Sequence, residues 1–176
     1  LKDKWKIYSI ILYKEYLPIS TVLVDVDLII VRQEMKRVNL YYFCIYMSHT
    51  PERRDKCTFL LEQYYKDLKA QDPQARFLLV GDFNKDLDNM GRYKKDTIDL
   101  KFMPITKELY RDNNMVMKPA GVTRERIKLQ GEVHERSRID WLFFSKKNLA
   151  VATEGVVESN KYSDHYAFNT VIEETE

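Results

Sequence analysis

Short β-prone apolar runs separated by charged turns make up most of the chain, and one interval carries helical spacing. Residues 5–14, WKIYSIILYK, are strand-like in length and composition, and Glu15-Tyr16-Leu17-Pro18 interrupts them. Residues 22–35 and 38–47 are two long β-prone runs flanking Lys36-Arg37, a pattern that predicts a hairpin. A helix is predicted next, with Thr50 as cap, Pro51 at its first position and Glu52 complementing the positive end of its dipole. Its buried stripe is expected from Cys57, Leu60, Leu61, Tyr64 and Leu68, and Pro73 stops it. The run Phe77-Leu78-Leu79-Val80 is wholly apolar and ends at Gly81, as in a central strand buried on both faces.

Residues 86–118 are more polar and predict loops with a short helix near 97–110. A charged stretch from Arg124 to Arg138 precedes a predicted strand from Ile139 to Ser145. Strand-like segments near 151–158 and 166–173 finish the chain, with Tyr162-Ser163-Asp164-His165 on the loop between them. Strand, hairpin, helix and buried strand in that order point to an α/β layered domain, and no linker divides the chain.

The length of 176 residues suits one domain with a sizeable core, and 44% hydrophobic against 32% charged residues is the balance of an ordinary globular protein. A formal net charge of +2 excludes a strongly basic nucleic-acid coat while leaving room for a local basic patch. Cys44 and Cys57 form neither a CxxC pair nor a disulfide framework. Read as buried free thiols, they fit an intracellular location, nuclear or cytoplasmic. No apolar run approaches the ~20 residues that span a bilayer, so no membrane partner is expected. The strand under way at Trp5 suggests that the chain begins inside a domain.

The sharpest chemical signal is Gly81-Asp82-Phe83-Asn84 at the end of the buried strand, where ligands of open α/β sheets collect. Asp82 can ligate a hard cation or move a proton, and Asn84 can donate to a phosphoryl oxygen. An Asx-type turn after a strand explains the same letters. Ser163-Asp164-His165 offers a carboxylate beside an imidazole able to take a proton from water, or else an ordinary surface turn. In Ser137-Arg138-Ile139-Asp140-Trp141 an acid enters an apolar strand, a costly position unless a His or Arg pairs with it.

In their order, GDFN, RIDW and SDH resemble the endonuclease/exonuclease/phosphatase superfamily, and SRIDWLFFS is most similar to the endonucleases of non-LTR retrotransposons. The resemblance implies a DNase-I-like four-layer α/β sandwich and a divalent-metal-dependent phosphodiester hydrolase. It implies that Asp82 and Asn84 hold the scissile phosphate and assist the leaving group, with His165 as general base oriented by Asp140. Asp164 would help to hold Mg²⁺ or Mn²⁺. His49, in Tyr46-Met47-Ser48-His49, matches a phosphate-contacting His of some members, though a helix-entry His with no catalytic part is the plain alternative.

Two family motifs that precede this region, an early Asn and a metal-binding Gln-Glu, have no counterpart, so the domain is expected to be truncated at its N-terminus. Glu34, in the strand-like Asp27-Leu28-Ile29-Ile30-Val31-Arg32-Gln33-Glu34, imitates the Gln-Glu motif and is a possible metal ligand; an ordinary hairpin strand explains it equally. Truncation predicts an exposed apolar sheet face that a missing segment or a partner would cover. Arg124–Arg138 holds five Arg/Lys against three Glu, and Arg92, Lys94 and Lys95 follow GDFN, which suits a DNA backbone or simply a solvated surface. Three functions are therefore open. They are a DNA endonuclease of retroelement type, a hydrolase of another phosphoester such as a phosphoinositide, sphingomyelin or poly(A), and a non-catalytic interaction module.

Overall fold

In the computed structural model, residues 17–84, 115–118, 123–127, 133–137, 139–157 and 164–176 are described. The expected strand at 5–14, the short helix near 97–110, and Arg92, Lys94, Lys95, Arg138 and Ser163 lie outside them.

The elements run β1 (Ile19–Val24), β2 (Leu28–Glu34), β3 (Asn39–Tyr46), α1 (Pro51–Gln71), β4 (Arg76–Asp82), β5 (Met115–Lys118), β6 (Arg124–Ile127), β7 (Val133–Ser137), β8 (Asp140–Ser145), β9 (Leu149–Val157) and β10 (Ala167–Glu174). A six-stranded sheet has the order β1-β2-β3-β4-β8-β5, and the pairs β6–β7 and β9–β10 form two small sheets. β3 and β4 pair in parallel, with α1 as the crossover, and the other neighbours are antiparallel.

The hairpin about Lys36-Arg37 is present, closed by Met35 N–H donating to the Val38 carbonyl at 3.0 Å. The run 22–35 is not one strand, because Asp25-Val26-Asp27 turns the chain between β1 and β2. Ion pairs to the helix hold that turn: Lys56 Nζ meets Asp25 at 2.6 Å, and Arg53 grips the buried Asp27 carboxylate, with Nε at 2.9 Å. Asp27 is 3% exposed, and charge burial of this depth persists only with a partner.

Thr50 sits at the helix N-cap, yet its side chain makes no capping bond; Ser48 Oγ instead accepts the Thr50 N–H at 3.1 Å. The buried stripe is Cys57, Thr58, Leu61, Tyr65 and Leu68, with Leu60 and Tyr64 at its edge. It packs on Leu28, Ile30, Tyr41, Phe43, Ile45, Phe77, Leu79, Trp141 and Phe143, where the Tyr65 and Phe77 rings meet edge-on at 5.0 Å. Truncating Leu61 in such a core costs about 2–5 kcal/mol.

Side chains of a strand alternate between faces, so Leu78, Val80 and Asp82 of β4 share the face away from α1 with Asp140, Leu142 and Phe144 of β8. The expected exposed apolar face is not found over these central strands. Leu40, Leu78, Leu142 and Phe144 are buried there and cluster with Leu149 of β9 and Ile172 of β10.

Candidate active site

Gly81 explains why β4 can end where it does. Its φ is +143°, and a Cβ built on it would stand 1.9 Å from the Ile45 carbonyl oxygen of the neighbouring strand. Only glycine tolerates both that dihedral and that approach. Phe83 then anchors the turn, buried against Phe143 at 5.5 Å between ring centroids, while its N–H donates to the Ile139 carbonyl at 2.8 Å. The polar residues on either side of Phe83 are thereby placed on the rim.

Asp82 lies directly opposite Asp140 in the β4–β8 register, which brings their Cβ atoms to about 5 Å. His165 Nδ1 stands 3.1 and 2.9 Å from the two Asp140 oxygens. One donor atom from each of Asp82, Asp140 and His165 lies within 4.8 Å of the others. Three stretches distant in sequence therefore converge on one rim of the sheet.

Asp82 Oδ1 accepts the Asn84 N–H at 2.7 Å, forming the Asx-type turn that is the alternative reading of Gly81-Asp82-Phe83-Asn84. Asn84 adopts a left-handed φ of +50°, and its amide donates to the Met47 carbonyl at 2.9 Å. That bond fixes the amide plane and leaves its second N–H for another acceptor. Burial, reinforced by the Asp140 charge, pushes the Asp82 carboxyl above its ordinary range despite the opposing pull of Asn84 N–H, His165 and Arg124. The hydrogen bond to Asp140 raises the His165 pKa, and burial does not cancel it.

A strut not marked by any motif sets this geometry. Thr123 is fully buried, and its Oγ1 accepts both the Ile139 N–H at 3.0 Å and the Asp140 N–H at 3.1 Å. Its carbonyl accepts the Tyr166 N–H at 2.7 Å, and Glu125 N–H donates to the Asp164 carbonyl at 2.8 Å. Arg124 and His165 are thereby paired across an antiparallel bridge, and the Tyr166 hydroxyl donates to the buried Glu125. The only sequence signal for Thr123 is a small hydroxyl residue before a charged stretch.

The model of the Endonuclease/Exonuclease/phosphatase family matches residues 9–165. The chain belongs to this family. Members of the Endonuclease/Exonuclease/phosphatase family are phosphoester hydrolases that generally use divalent metals. A search of the curated proteins gave no match.

Among solved structures, the chain is similar to the endonuclease domain of TRAS1, a telomere-specific non-LTR retrotransposon. The match has 19% identity and a TM-score of 0.62 over 90% of this chain and 70% of that one. It is similar to TDP2 of D. rerio complexed with a single-strand DNA product, at 12% identity and TM-score 0.53, over 88% of this chain and 68% of that one. The mannosyl-6-phosphatase Bt3783 of Bacteroides thetaiotaomicron VPI-5482 matches at 18% identity and TM-score 0.50, over 82% of this chain and 55% of that one. These likenesses establish a DNase-I-like fold.

Three expected family positions stand apart from the Asp82–Asp140–His165 group. The Asp164 carboxylate is half exposed and tied to Arg124, Nε to Oδ2 at 2.9 Å, and is not one of the three grouped donors. Burial pushes its pKa up, but the Arg124 bond and charge, with that of His165, outweigh it and hold the carboxyl below its ordinary range. His49 follows β3 on the same rim, two residues after Met47, whose N–H donates to the Asp82 carbonyl at 2.8 Å; it is exposed and outside the group. Glu34 lies far from the group. It pairs with Asn39 at the start of β3, whereas Asp82 pairs with Tyr46 at its end, roughly 20 Å away along the strand. It is exposed and bonded to Arg32 at 2.6 Å, an ordinary hairpin residue.

Proposed function

We propose that the chain is a divalent-cation-dependent phosphodiester hydrolase that acts on DNA as an endonuclease of retroelement type. The observation that carries this reading is the Asp140–His165 pair set against Asp82 at one rim of the sheet. Asp140 takes the Nδ1 side of the imidazole, so Nε2 is the nitrogen that removes a proton from an attacking water. Asn84 supplies a neutral N–H to a phosphoryl oxygen, aimed by its bond to Met47. His49, exposed on the same rim, is a further donor to the phosphate.

The donor set suits Mg²⁺ or Mn²⁺, since hard carboxylate oxygens dominate it and two like charges face each other in register. Asp82 would hold the ion through the oxygen that the Asn84 N–H does not occupy. When bound, the ion offsets the negative charge that gathers on the phosphoryl oxygens. The retrotransposon endonuclease and the DNA-bound TDP2 among similar structures support nucleic acid as the substrate class.

Incubation of supercoiled plasmid with Mg²⁺ tests the proposal beside a panel of phosphoinositide, sphingomyelin, sugar phosphate and poly(A). Nicking of the plasmid, abolished by chelation and by Asp82→Ala or His165→Ala, is the expected result. Turnover of another phosphoester with DNA left intact would move the substrate elsewhere in the family. No turnover on any member would leave an interaction module and overturn the catalytic reading.

A further inference from the structure

Arg124 belongs to none of the motifs that define the site, yet it stands beside it. It is bridged directly opposite His165, and residues so paired direct their side chains to the same face. Its charge is among those felt by Asp82, and the residue before it, Thr123, holds the Asp140 amide. Arg124 is therefore placed beside His165 and within reach of the Asp82 charge.

Its orientation is fixed through Nε. Nε donates to Asp164 at 2.9 Å, with the Arg124 side chain 16% exposed, and among the described residues this is its hydrogen bond to the protein. Among the described residues Nη1 and Nη2 have no acceptor, and neither is an enclosed, unsatisfied atom. A guanidinium pinned through Nε presents its two terminal N–H groups as a preset fork, the arrangement that matches two oxygens of one phosphate. Asp164, set aside above as a member of the acid–imidazole group, acquires a use as the group that aims the fork.

We propose that Arg124 is a further substrate-binding residue of this site, contacting two oxygens of the substrate phosphate through Nη1 and Nη2 while Asp164 holds its Nε. The inference rests on the phosphodiesterase reading for its location, and its ligand class is a phosphate mono- or diester. A purely structural role for Arg124, latching the loop of Asp164–Tyr166 to β6, is the competing account.

The two accounts separate on binding measured without turnover. Inorganic phosphate is titrated into the full chain in the presence of chelator, with thermal shift and NMR of the Arg side-chain N–H groups as readouts. Wild type binds, Arg124→Ala loses about tenfold or more in affinity, and Arg124→Lys, which keeps the charge but not the fork, falls between them. Asp164→Asn keeps an oxygen that accepts from Nε but loses its charge, so the fork is aimed less firmly and phosphate affinity falls about threefold, less than in Arg124→Ala. If Arg124→Ala fails to fold, the lysine and asparagine variants decide alone.

A structural latch predicts that Asp164→Asn and Arg124→Ala behave alike and that neither alters phosphate affinity, and that outcome overturns the proposal. With plasmid as substrate and Mg²⁺ present, Arg124→Ala raises KM or lowers kcat/KM by roughly 100-fold. Plasmid nicking by wild type with unchanged kinetics in Arg124→Ala sinks this inference and spares the endonuclease. Phosphate binding that depends on Arg124, without turnover on any phosphoester, sustains it and removes the enzyme.

Discussion

Asp140 meets the His165 imidazole with both carboxylate oxygens, at 3.1 and 2.9 Å from Nδ1, although Asp140 opens β8 and His165 lies outside the named strands, just before β10. Such an acceptor fixes the tautomer of the ring and favours its protonated form.

The pH dependence follows with a definite sign. The His165 pKa lies above its ordinary 6.5, raised chiefly by the Asp140 hydrogen bond. A general base works only when neutral, so activity rises with pH through that raised value. Asp140→Asn removes the cause, moves the acid limb of the rate profile to lower pH, and lowers the maximal rate on the order of 100-fold. Stability runs the other way: the pair's contribution is fully present below 6.5 and is lost as pH climbs through the folded-state pKa. An acid limb at the same pH in wild type and Asp140→Asn would contradict His165 as the base.

Replacing Gly81 is expected to be costly out of proportion to its size. Alanine there meets the Ile45 carbonyl oxygen and must hold a φ of +143°. Strain and forced separation of β3 from β4 should destabilise the fold by about 3 kcal/mol or more. Urea denaturation of Gly81→Ala reads this directly, and an unchanged midpoint would show that the close approach does not exist.

Thr123→Val keeps the shape of a fully buried side chain and removes only the oxygen that accepts the Ile139 and Asp140 N–H groups. Two buried donors lose their acceptor, each worth about 1–3 kcal/mol. Melting temperature should fall sharply, and Thr123→Ser should recover most of it. A valine variant as stable as wild type would mean that Asp140 is held by other contacts.

Both cysteines should be inert while the protein is folded. Burial pushes Cys44 up to about 11 and Cys57 up to about 12, so neither supplies thiolate at pH 8. Iodoacetamide is expected to label them roughly 100-fold faster in urea than in buffer. Mass spectrometry showing rapid native labelling of Cys57 would place that helix face in solvent.

Much of the scaffold can be read from local chemistry. Lys36-Arg37 between two apolar runs marks a turn, Pro51 and Pro73 bracket the helix, and a four-residue apolar run ending at Gly81 marks a strand covered on both sides. The break at Asp25–Asp27 is hidden because no Gly or Pro signals it; ion pairs from α1, some thirty residues on, stabilise the turn. The same limit applies at the site. Asp82, Asp140 and His165 sit in recognisable words of sequence, but Thr123 and Arg124 gain their meaning only from what the fold lays beside them. Asp164 shows the converse, a residue in a familiar motif whose carboxylate is taken by a neighbour that the motif does not contain.

The antiparallel pairing of Asp82 with Asp140 joins strands whose ends are separated in sequence by residues 83–139. Closure entropy grows only logarithmically with the length of such an excursion, about 0.6 kcal/mol for each doubling. Between its fixed points, Phe83–Asn84, β5 and Thr123–Glu125, that excursion can therefore be lengthened or shortened at little thermodynamic expense while the two acids stay in register. Chemistry and recognition are then separately adjustable, and a lineage can change what it grips without rebuilding what it cuts with.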